Sequence, residues 1–434
     1  MKAVILASGQ GSRMGYKLKP MLKVAGRKII DRTIILLKPY VNEFVFVIRK
    51  DCREIEEYLE RHWKGLIKYK IVKNPEPERG NGYTLLLASE VVGKDEFILT
   101  MGDHIYSKNF VEKAVKLKGL IGDFNPKYID VSEATKVRVE IGKTGKRVKD
   151  IGKKLKTFDC LDTGFFILDN KAFEVARRVA ERKKIVELSD VIRELKPEVS
   201  EVSGELWIDI DTPDDLKVAR KLLVRLSIKS IGDGYISRHL NRKISTKISE
   251  YLVDYITPNQ ATMIAFFVGL LSSLLVFFNL PAAGILYQFS SILDGIDGEI
   301  ARASLRTSKF GEWVDSILDR YVDFFFLLSV SLYLIKQNMF LTAELIIAMF
   351  ALFGSIMVSY STEKFKASYS RSAYECVSSL RYIPGKRDER IFLETLLCIL
   401  NRPLMLLVLI GVLSNIKVIA TFVAITVNRC TLGE

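Results

Sequence analysis

Four aspartates in the C-terminal half have the spacing needed to gather divalent cations. Asp294 and Asp297 are three residues apart, and Asp315 and Asp319 are four apart, so each pair would share one face of a helix. All four lie between apolar runs, where a charge costs at least a few kcal/mol. Two such helices side by side would bring four carboxylates together. Hard oxygen ligands at this density suit Mg²⁺ or Mn²⁺.

Small residues accompany these aspartates at fixed spacing. Gly295, Gly298, Ala301 and Gly311 remove side chains, so that helices or a bulky substrate can approach closely. With Arg302, the whole pattern resembles the signature of the CDP-alcohol phosphotransferase family, D-x-x-D-G-x-x-A-R-x8-G-x-x-x-D-x-x-x-D. That family transfers a phosphoalcohol group: a hydroxyl attacks the β-phosphorus of a CDP-alcohol, and CMP leaves.

The resemblance implies a role for each aspartate. Asp294, Asp297 and Asp315 would bind metal, and Asp319, also a candidate ligand, would be the general base. The residues expected to contact the cytidine nucleotide are Thr257, Pro258, Asn259, Thr262, Gly298, Ala301 and Arg302. The residues expected to bind the acceptor phosphate are Lys386, Arg387 and Arg390, with Arg302 as a further candidate. For the loop residues, the accumulation of positive charge on cytoplasmic loops is an equally good explanation.

Hydropathy predicts an all-α polytopic membrane domain over residues 257–434. Apolar runs are short before residue 227 and reach membrane-spanning length after about residue 260. We predict six transmembrane helices, at about 261–280, 282–303, 311–335, 339–361, 391–413 and 415–429. Residues 227–256 would form a linker and a helix on the membrane surface, because apolar and basic residues alternate there.

The distribution of Lys and Arg predicts the orientation. Basic residues accumulate before the first span, between the second and third, and between the fourth and fifth, whereas the opposite loops hold only Lys336 and Lys417. We therefore expect a multi-pass protein of the cell membrane, with both termini and the aspartates cytoplasmic.

The N-terminal half has the pattern of an α/β Rossmann-like domain over residues 1–226. Residues 2–7 predict a buried parallel strand, and a glycine loop follows at 8–13. Further strands, at about 44–49, 67–73 and 97–102, alternate with helices as in a doubly wound sheet. Glycines at 9, 11 and 15 do not fit the dinucleotide-binding spacing, but such a loop lets backbone N–H groups approach phosphates.

These features together resemble the sugar-phosphate nucleotidyltransferase family, which uses L-A-x-G-x-G-x-R, a K-P lysine, a strand-end G-D and a late aspartate. The resemblance implies that Mg²⁺ (or Mn²⁺) binds to Asp103 and Asp211, with Asp209 as the competing candidate. The residues expected to hold the triphosphate are Ala7, Ser8, Gly9, Gly11, Ser12, Arg13 and Lys19, of which Arg13 and Lys19 would also act in catalysis. The base would lie against Gly80 and Asn81, and the acceptor against Asp162, Gly164 and one lysine, Lys153 or its alternatives Lys149 and Lys154. A solvated surface is the alternative for Asp162 and the three lysines.

Composition limits the partners. The net charge of +14 suits phosphate substrates and an anionic lipid bilayer; basic residues interleaved with aromatics are missing, so we predict no nucleic-acid partner. The five cysteines have no metal-binding spacing and are expected to be free thiols in a reducing compartment. Abundant Lys and Glu with few Gln are typical of thermophile proteins.

The fusion of the two halves narrows the expected substrates. It resembles the bifunctional enzymes of di-myo-inositol phosphate synthesis. That resemblance implies that CTP and inositol 1-phosphate give CDP-inositol and pyrophosphate, and that a second inositol 1-phosphate then accepts the inositol-phosphate group as CMP leaves. It also implies a homodimer through the membrane half. The inositol identity rests on the fusion pattern, not on a particular residue.

Three other functions are compatible with parts of the sequence. A phospholipid head-group synthase with its own cytidylyltransferase would use the same motifs, with a lipid as donor or acceptor. A nucleotide-regulated transporter would explain acids inside the membrane, but not the spacing of the small residues. An inactive scaffold would not need every expected acid.

Overall fold

The computed structural model describes residues 1–9, 11, 14–15, 17–142, 145–228, 234–337 and 342–427. The chain divides into two compact units, Met1–Leu223 and Val224–Glu434. The predicted triphosphate-binding residues Ser12 and Arg13 lie outside the described residues.

The N-terminal unit is built on a mixed sheet of nine strands. Among the described residues of this unit, the strands are β1 (Lys2–Ala7), β2 (Lys23–Val24), β3 (Arg27–Lys28), β4 (Glu43–Arg49), β5 (Tyr69–Asn74), β6 (Phe97–Met101), β7 (His104–Tyr106), β8 (Gly119–Asp123), β9 (Lys136–Gly142), β10 (Gly145–Gly152), β11 (Cys160–Leu168), β12 (Val199–Glu201) and β13 (Trp207–Asp209). The main path has the order β10-β9-β11-β6-β1-β4-β5, with β8 paired to β11 and β12 paired to β8.

Helices cover the faces of this sheet. They are α1 (Ile29–Leu37), α2 (Arg53–Trp63), α3 (Asn81–Leu87), α4 (Ser89–Val92), α5 (Lys108–Ala114), α6 (Lys171–Arg182), α7 (Leu188–Leu195) and α8 (Pro213–Leu226). Strands β1, β4, β5 and β6 are mutually parallel, and β11 is antiparallel to its neighbours β6, β8 and β9. The predicted Rossmann-like class is confirmed, but the sheet is mixed rather than all parallel.

The strand order positions the predicted nucleotide-binding residues. Strands β1 and β6 are parallel neighbours, with Leu6 opposite Met101. The glycine loop leaves β1 and Asp103 follows β6, so both lie at the carboxyl edge of the sheet, where open α/β sheets bind ligands. Strand β13 pairs with β7 and brings the segment that ends at Asp211 to the same edge.

The C-terminal unit is helical. Its helices are α9 (Arg242–Leu252), α10 (Pro258–Leu275), α11 (Leu280–Ala303), α12 (Lys309–Lys336), α13 (Thr342–Tyr369), α14 (Ala373–Cys376), α15 (Arg387–Ile399) and α16 (Pro403–Val427). Side-chain caps begin three of the long helices: Thr257 accepts a hydrogen bond from Gln260 N, Asn279 from Ala282 N, and Ser308 from Gly311 N.

Within the described residues, three helices are long and apolar enough to cross a membrane: α10, α13 and α16. Helices α11 and α12 are of similar length but carry the aspartates. The predicted boundaries of the fifth and sixth spans are wrong. Helix α15 ends at Ile399, Asn401 has a left-handed φ of 53°, and α16 then continues unbroken through the predicted gap at 414. Pro403 explains the break, because proline disfavours a helical conformation in the residue before it.

The sequence analysis placed Lys417 in a loop on the side opposite the basic loops, but in the structure this residue lies within α16. It is 1% exposed within α16, and its Nζ donates to the carbonyl oxygens of Leu380 (3.0 Å) and Ile383 (2.7 Å). This lysine therefore lies at the same end of the bundle as the 378–386 segment, which leads into Lys386 and Arg387. Its positive charge is used to hold that segment.

Two glycines that could permit helix packing between subunits face helices of the same chain. A Cβ at Gly269 in α10 would lie 2.5 Å from Val322 Cγ1 in α12, and a Cβ at Gly354 in α13 would lie 2.5 Å from Asn415 Nδ2 in α16. Both glycines thus account for packing inside one chain.

We expect Gly269→Ala to destabilise the helical unit, because overpacking typically costs about 1–3 kcal/mol. Val322→Ala should remove the opposing methyl groups, so the double variant should be less destabilised than the sum of the two single variants. Thermal unfolding of the full chain in detergent measures this coupling. Strictly additive losses would contradict the packing of Gly269 against Val322.

Candidate active sites

A cavity of about 300 Å³ lies at the carboxyl edge of the N-terminal sheet. It is lined by Leu6, Ala7, Gly9, Gly11, Lys19, Pro20, Asn81, Met101, Gly102, Asp103, Lys153 and Asp211. The fold therefore brings together residues predicted separately for the triphosphate, the base, the acceptor and the metal.

Lys19 links two acids in this cavity. Its Nζ lies 3.0 Å from Asp103 Oδ2 and 2.5 Å from Asp211 Oδ1. Burial alone would lower the pKa of Lys19, but the charge of Asp103 and the hydrogen bonds to both acids outweigh it, so the pKa is raised. Burial alone would raise the pKa of Asp103, but the neighbouring His104 and Lys19 hold it well below its usual range. Near neutral pH, Lys19 is therefore a cation and Asp103 an anion.

The structure separates the two candidates for the late metal ligand. Asp211 lines the cavity and contacts Lys19, whereas Asp209 lies opposite His104 in the two-stranded sheet β7–β13. Two carboxylates facing one cavity provide the hard oxygen donors that Mg²⁺ prefers. Asp103 with Asp211 therefore fits a divalent cation better than Asp103 with Asp209.

Two residues predicted to bind the nucleotide, Ser8 and Gly80, also have packing roles within the unit. The buried Ser8 shares a 2.9 Å hydrogen bond with Thr84 through their hydroxyl groups, and lies within 3.4 Å of Asn74 Nδ2. It thereby ties the glycine loop to α3 and β5, and its side chain does not line the cavity. Gly80 has a φ of 91°, and a Cβ there would lie 2.6 Å from Val186 O. Its neighbour Asn81 does line the cavity.

Asp162 and Gly164 lie beside His104 rather than in the cavity wall. Asp162 Oδ1 accepts a 2.9 Å hydrogen bond from Gly164 N, and burial raises the pKa of this aspartate to about 6. Gly164 has a φ of 69°, and a Cβ there would lie 2.5 Å from His104 Nε2. His104 Nδ1 is in turn 3.0 Å from Asp103 Oδ1. The only sequence signal for this connecting role of His104 was its position next to Asp103.

The helical unit brings all four motif aspartates together: Asp297 is in side-chain hydrogen-bond contact with Asp315, and the other three form the tightest group. Asp294 on α11, and Asp315 and Asp319 on α12, each offer a carboxylate oxygen, and these oxygens lie within 4.8 Å of one another. Asp297 Oδ2 accepts a 2.6 Å hydrogen bond from Thr262 Oγ1, and its other oxygen faces Gly298 N. Hard oxygen donors at this separation fit a divalent cation, and repulsion between the carboxylates requires a nearby positive charge.

Arg387 supplies positive charge directly to this cluster. Its Nη1 lies 3.1 Å from Asp294 and 2.9 Å from Asp319, and its Nε donates to both oxygens of Asp323, at 3.1 and 3.2 Å. The prediction placed Arg387 in a basic loop. In the structure it is the first residue of α15, between the motif helices.

Asp323 was missed by the sequence analysis. It follows Asp319 by four residues, so it extends the face of α12 that carries Asp315 and Asp319 by one turn, and this spacing was the available signal. It is 4% exposed and also accepts a 2.9 Å hydrogen bond from Tyr287 Oη. Asp323 therefore fixes the orientation of the Arg387 guanidinium.

Several predicted contacts of the helical unit hold the backbone instead. Arg390 is 1% exposed and donates to the carbonyl oxygens of Gly385 and Ser355, so it is not available to an acceptor phosphate. Arg302 Nε donates to Ser227 O at 2.6 Å, and Thr257 caps α10. Thr257 thereby satisfies a backbone N–H group at the start of α10 that has no partner within the helix.

A polar cavity of about 280 Å³ opens beside the carboxylate cluster. Its charged lining residues are Arg242, Asp294, Asp319, Arg320, Lys386, Arg387 and Asp388. Six hydroxyl-bearing side chains and an amide also line it: Ser237, Ser245, Ser291, Ser359, Thr362, Tyr374 and Asn241. A smaller cavity on the same cluster is lined by Thr262, Ser290, Asp294, Asp315, Asp319 and Arg387, together with apolar residues. The larger cavity suits a small, phosphorylated, polyhydroxylated molecule.

Comparison with known proteins matches both units. Residues 3–117 match the MobA-like NTP transferase domain, and residues 255–428 match the CDP-alcohol phosphatidyltransferase family. A "Bifunctional IPC transferase and DIPP synthase" of Archaeoglobus fulgidus is 49% identical over 434 residues, which cover 99% of this chain and 85% of that protein. The chain belongs to the family of bifunctional IPC transferases and DIPP synthases.

Relatives with the same name occur in other organisms. The protein of Thermococcus kodakarensis is 47% identical and covers 98% of this chain and 94% of its own length. That of Aquifex aeolicus is 46% identical and covers 96% of both chains. The similarity therefore extends across both units and the segment between them, which confirms the two-family fusion expected from the motifs.

Proposed function

We propose that this chain synthesises phosphorylated di-myo-inositol phosphate in two steps. In the first, CTP and inositol 1-phosphate give CDP-inositol and pyrophosphate. In the second, a second inositol 1-phosphate accepts the inositol-phosphate group and CMP leaves. The observation that carries the proposal is that one chain contains both carboxylate sites, each with its own basic residue.

The first step is assigned to residues 1–226. An oxygen of the inositol 1-phosphate attacks the α-phosphorus of CTP, and the bond to pyrophosphate breaks. Lys19 offsets the repulsion between the two anions, and backbone N–H groups of the glycine loop at Gly9 and Gly11 hold the triphosphate. Lys153, which lines the same cavity, attracts the acceptor phosphate. Asp103 and Asp211 would hold Mg²⁺, which neutralises phosphate charge when bound.

The second step is assigned to residues 257–434. The hydroxyl of the acceptor attacks the β-phosphorus of CDP-inositol, and the bond to CMP breaks. Asp319 accepts the hydroxyl proton, since it lines both cavities of the cluster. Asp294, Asp297 and Asp315 would hold Mg²⁺ or Mn²⁺, which withdraws charge from the diphosphate when bound. Arg387 forms ion pairs with Asp294 and Asp319, and a third ion pair, with Asp323, fixes the position of the arginine.

The membrane arrangement is part of the proposal. Six helices, α10 to α13 with α15 and α16, would form the membrane domain, residues 227–256 would form the linker and the surface helix, and both termini and both sites would be cytoplasmic. The three apolar helices α10, α13 and α16 and the match to a membrane-enzyme family support insertion in a bilayer. We also propose a homodimer through the membrane half. Phospholipid head-group synthesis remains the competing function, and it differs in requiring a lipid substrate.

The two steps should be separable by mutation. Purified full-length protein with CTP, Mg²⁺ and inositol 1-phosphate should release pyrophosphate and CMP and form the di-inositol product, as identified by mass spectrometry. Asp103→Asn should abolish pyrophosphate release but leave turnover of supplied CDP-inositol, because it changes one metal-site acid in the N-terminal unit only. Asp209→Asn is the matched control and should retain more of the first activity. Equal loss of both activities in folded Asp103→Asn protein would contradict separate sites, and a product containing lipid would favour head-group synthesis.

Asp319 and Asp294 should respond differently to substitution. Asp319→Asn removes the proposed base, which typically costs about 10²–10⁴-fold in rate. Asp294→Asn should weaken Mn²⁺ binding, measured by electron paramagnetic resonance titration, and its rate should recover partly at high Mn²⁺. If added metal restores Asp319→Asn to the wild-type rate, Asp319 is a ligand and not the base.

A further inference from the structure

Helix α9 contributes one wall of the larger cavity in the helical unit. Arg242 and Ser245 of α9, with Asn241 just before the helix, line it together with Asp294 and Asp319. The match to the CDP-alcohol phosphatidyltransferase family begins at residue 255, so this wall precedes the region that defines the family. The sequence predicted a membrane-surface role for this segment. In the structure, Arg242 and Ser245 of α9 also line the cavity.

Glu299 fixes α9 against α11. This glutamate is fully buried, two residues after Asp297. Its carboxylate accepts hydrogen bonds from Arg242 Nη1 at 3.1 Å, Ser245 Oγ at 2.8 Å and Ser249 Oγ at 2.7 Å. A buried carboxylate is tolerated only with such partners, so Glu299 and the polar face of α9 depend on each other.

Gly295 allows Arg242 to lie directly against the motif helix. A Cβ at this position would lie 3.0 Å from Arg242 Nη1, tighter than ordinary contacts, and the carbonyl oxygen of Gly295 accepts a 3.3 Å hydrogen bond from the same nitrogen. The glycine that follows Asp294 therefore makes room for the arginine. The side chain of Arg242 remains 19% exposed and reaches the cavity.

We propose that Arg242 binds the phosphate of the acceptor and that Glu299 is its positioning residue. This inference rests on the proposed function, in which the acceptor is a phosphorylated polyol. Arg242 lines the larger cavity but not the smaller one, where Thr262 and Asp315 face the cluster. The smaller cavity, of about 10 Å³, has room for no more than a water molecule, so we place the acceptor in the larger one. Arg242 on α9 and Lys386, which precedes α15, both line the larger cavity and offer charge to the acceptor.

The test uses full-length protein in nanodiscs, with supplied CDP-inositol and varied inositol 1-phosphate, and CMP release as the readout. Arg242→Gln should raise the KM for inositol 1-phosphate about 10- to 100-fold, because a charge-assisted hydrogen bond to a phosphate is lost. The KM for CDP-inositol should stay the same. The preference for inositol 1-phosphate over free inositol should fall by a similar factor. Arg242→Lys should recover part of the loss, and Glu299→Gln should raise the same KM less strongly.

Lys243→Gln is the matched control, because Lys243 is the next residue on α9 and is exposed; its KM values should be those of the wild type. The double variant Arg242→Gln/Glu299→Gln removes both members of the buried pair, so that no buried charge is left without its partner. Pyrophosphate release from CTP by the same preparations shows that the N-terminal unit is intact. If Arg242→Gln matches Lys243→Gln in acceptor KM and in acceptor preference, or if only the KM for CDP-inositol rises, the assignment is wrong. If the wild type releases no CMP from CDP-inositol, the proposed function itself fails, and this inference fails with it.

Discussion

Repulsion between carboxylates gathered inside a helical bundle is the constraint on which the C-terminal unit depends. Asp294, Asp315 and Asp319 place oxygens within 4.8 Å of one another, and like charges at this separation need compensation. Arg387 provides part of it by contacting two of the three acids, and Asp323 orients the arginine through Nε. The packing of the start of α15 against α12 is therefore needed to compensate the charge of the carboxylates.

The N-terminal unit solves a similar problem at the edge of a sheet. Lys19 lies between Asp103 and Asp211, which come from the ends of elements far apart in sequence. The parallel pairing of β1 with β6 sets the distance between the glycine loop and Asp103. In both units, acids from two elements meet at one basic residue, and the anionic substrates would enter a site whose charges are already arranged.

The site residues that follow a local spacing pattern could be predicted from the sequence, whereas those whose position depends on long-range packing could not. The interval from Asp294 to Asp319 identified the carboxylate cluster, because helical periodicity places these residues on facing surfaces. The position of Arg387 could not be predicted, since it depends on how α15 packs against α11 and α12, and no short-range pattern encodes that packing. Glu299 occupies an unspecified position of the motif, so the sequence pattern assigned it no role. Its role depends on hydrogen bonds from α9, more than 45 residues earlier in the chain. The helix break at Asn401 could have been predicted from Pro403, but the hydropathy profile continues across it, so the fifth span was predicted to run through this position.

The central claim is that the motif aspartates of α11 and α12 hold a divalent cation, and anomalous diffraction at the manganese edge tests it most directly. Crystals of the full chain grown with Mn²⁺ and CDP-inositol should show an anomalous peak in contact with Asp294, Asp297 and Asp315. The peak should disappear in crystals of Asp315→Asn protein that retains its fold. Saturating Mn²⁺ with no peak at these carboxylates, while the same crystals show one at Asp103 and Asp211, would contradict the account of the helical unit.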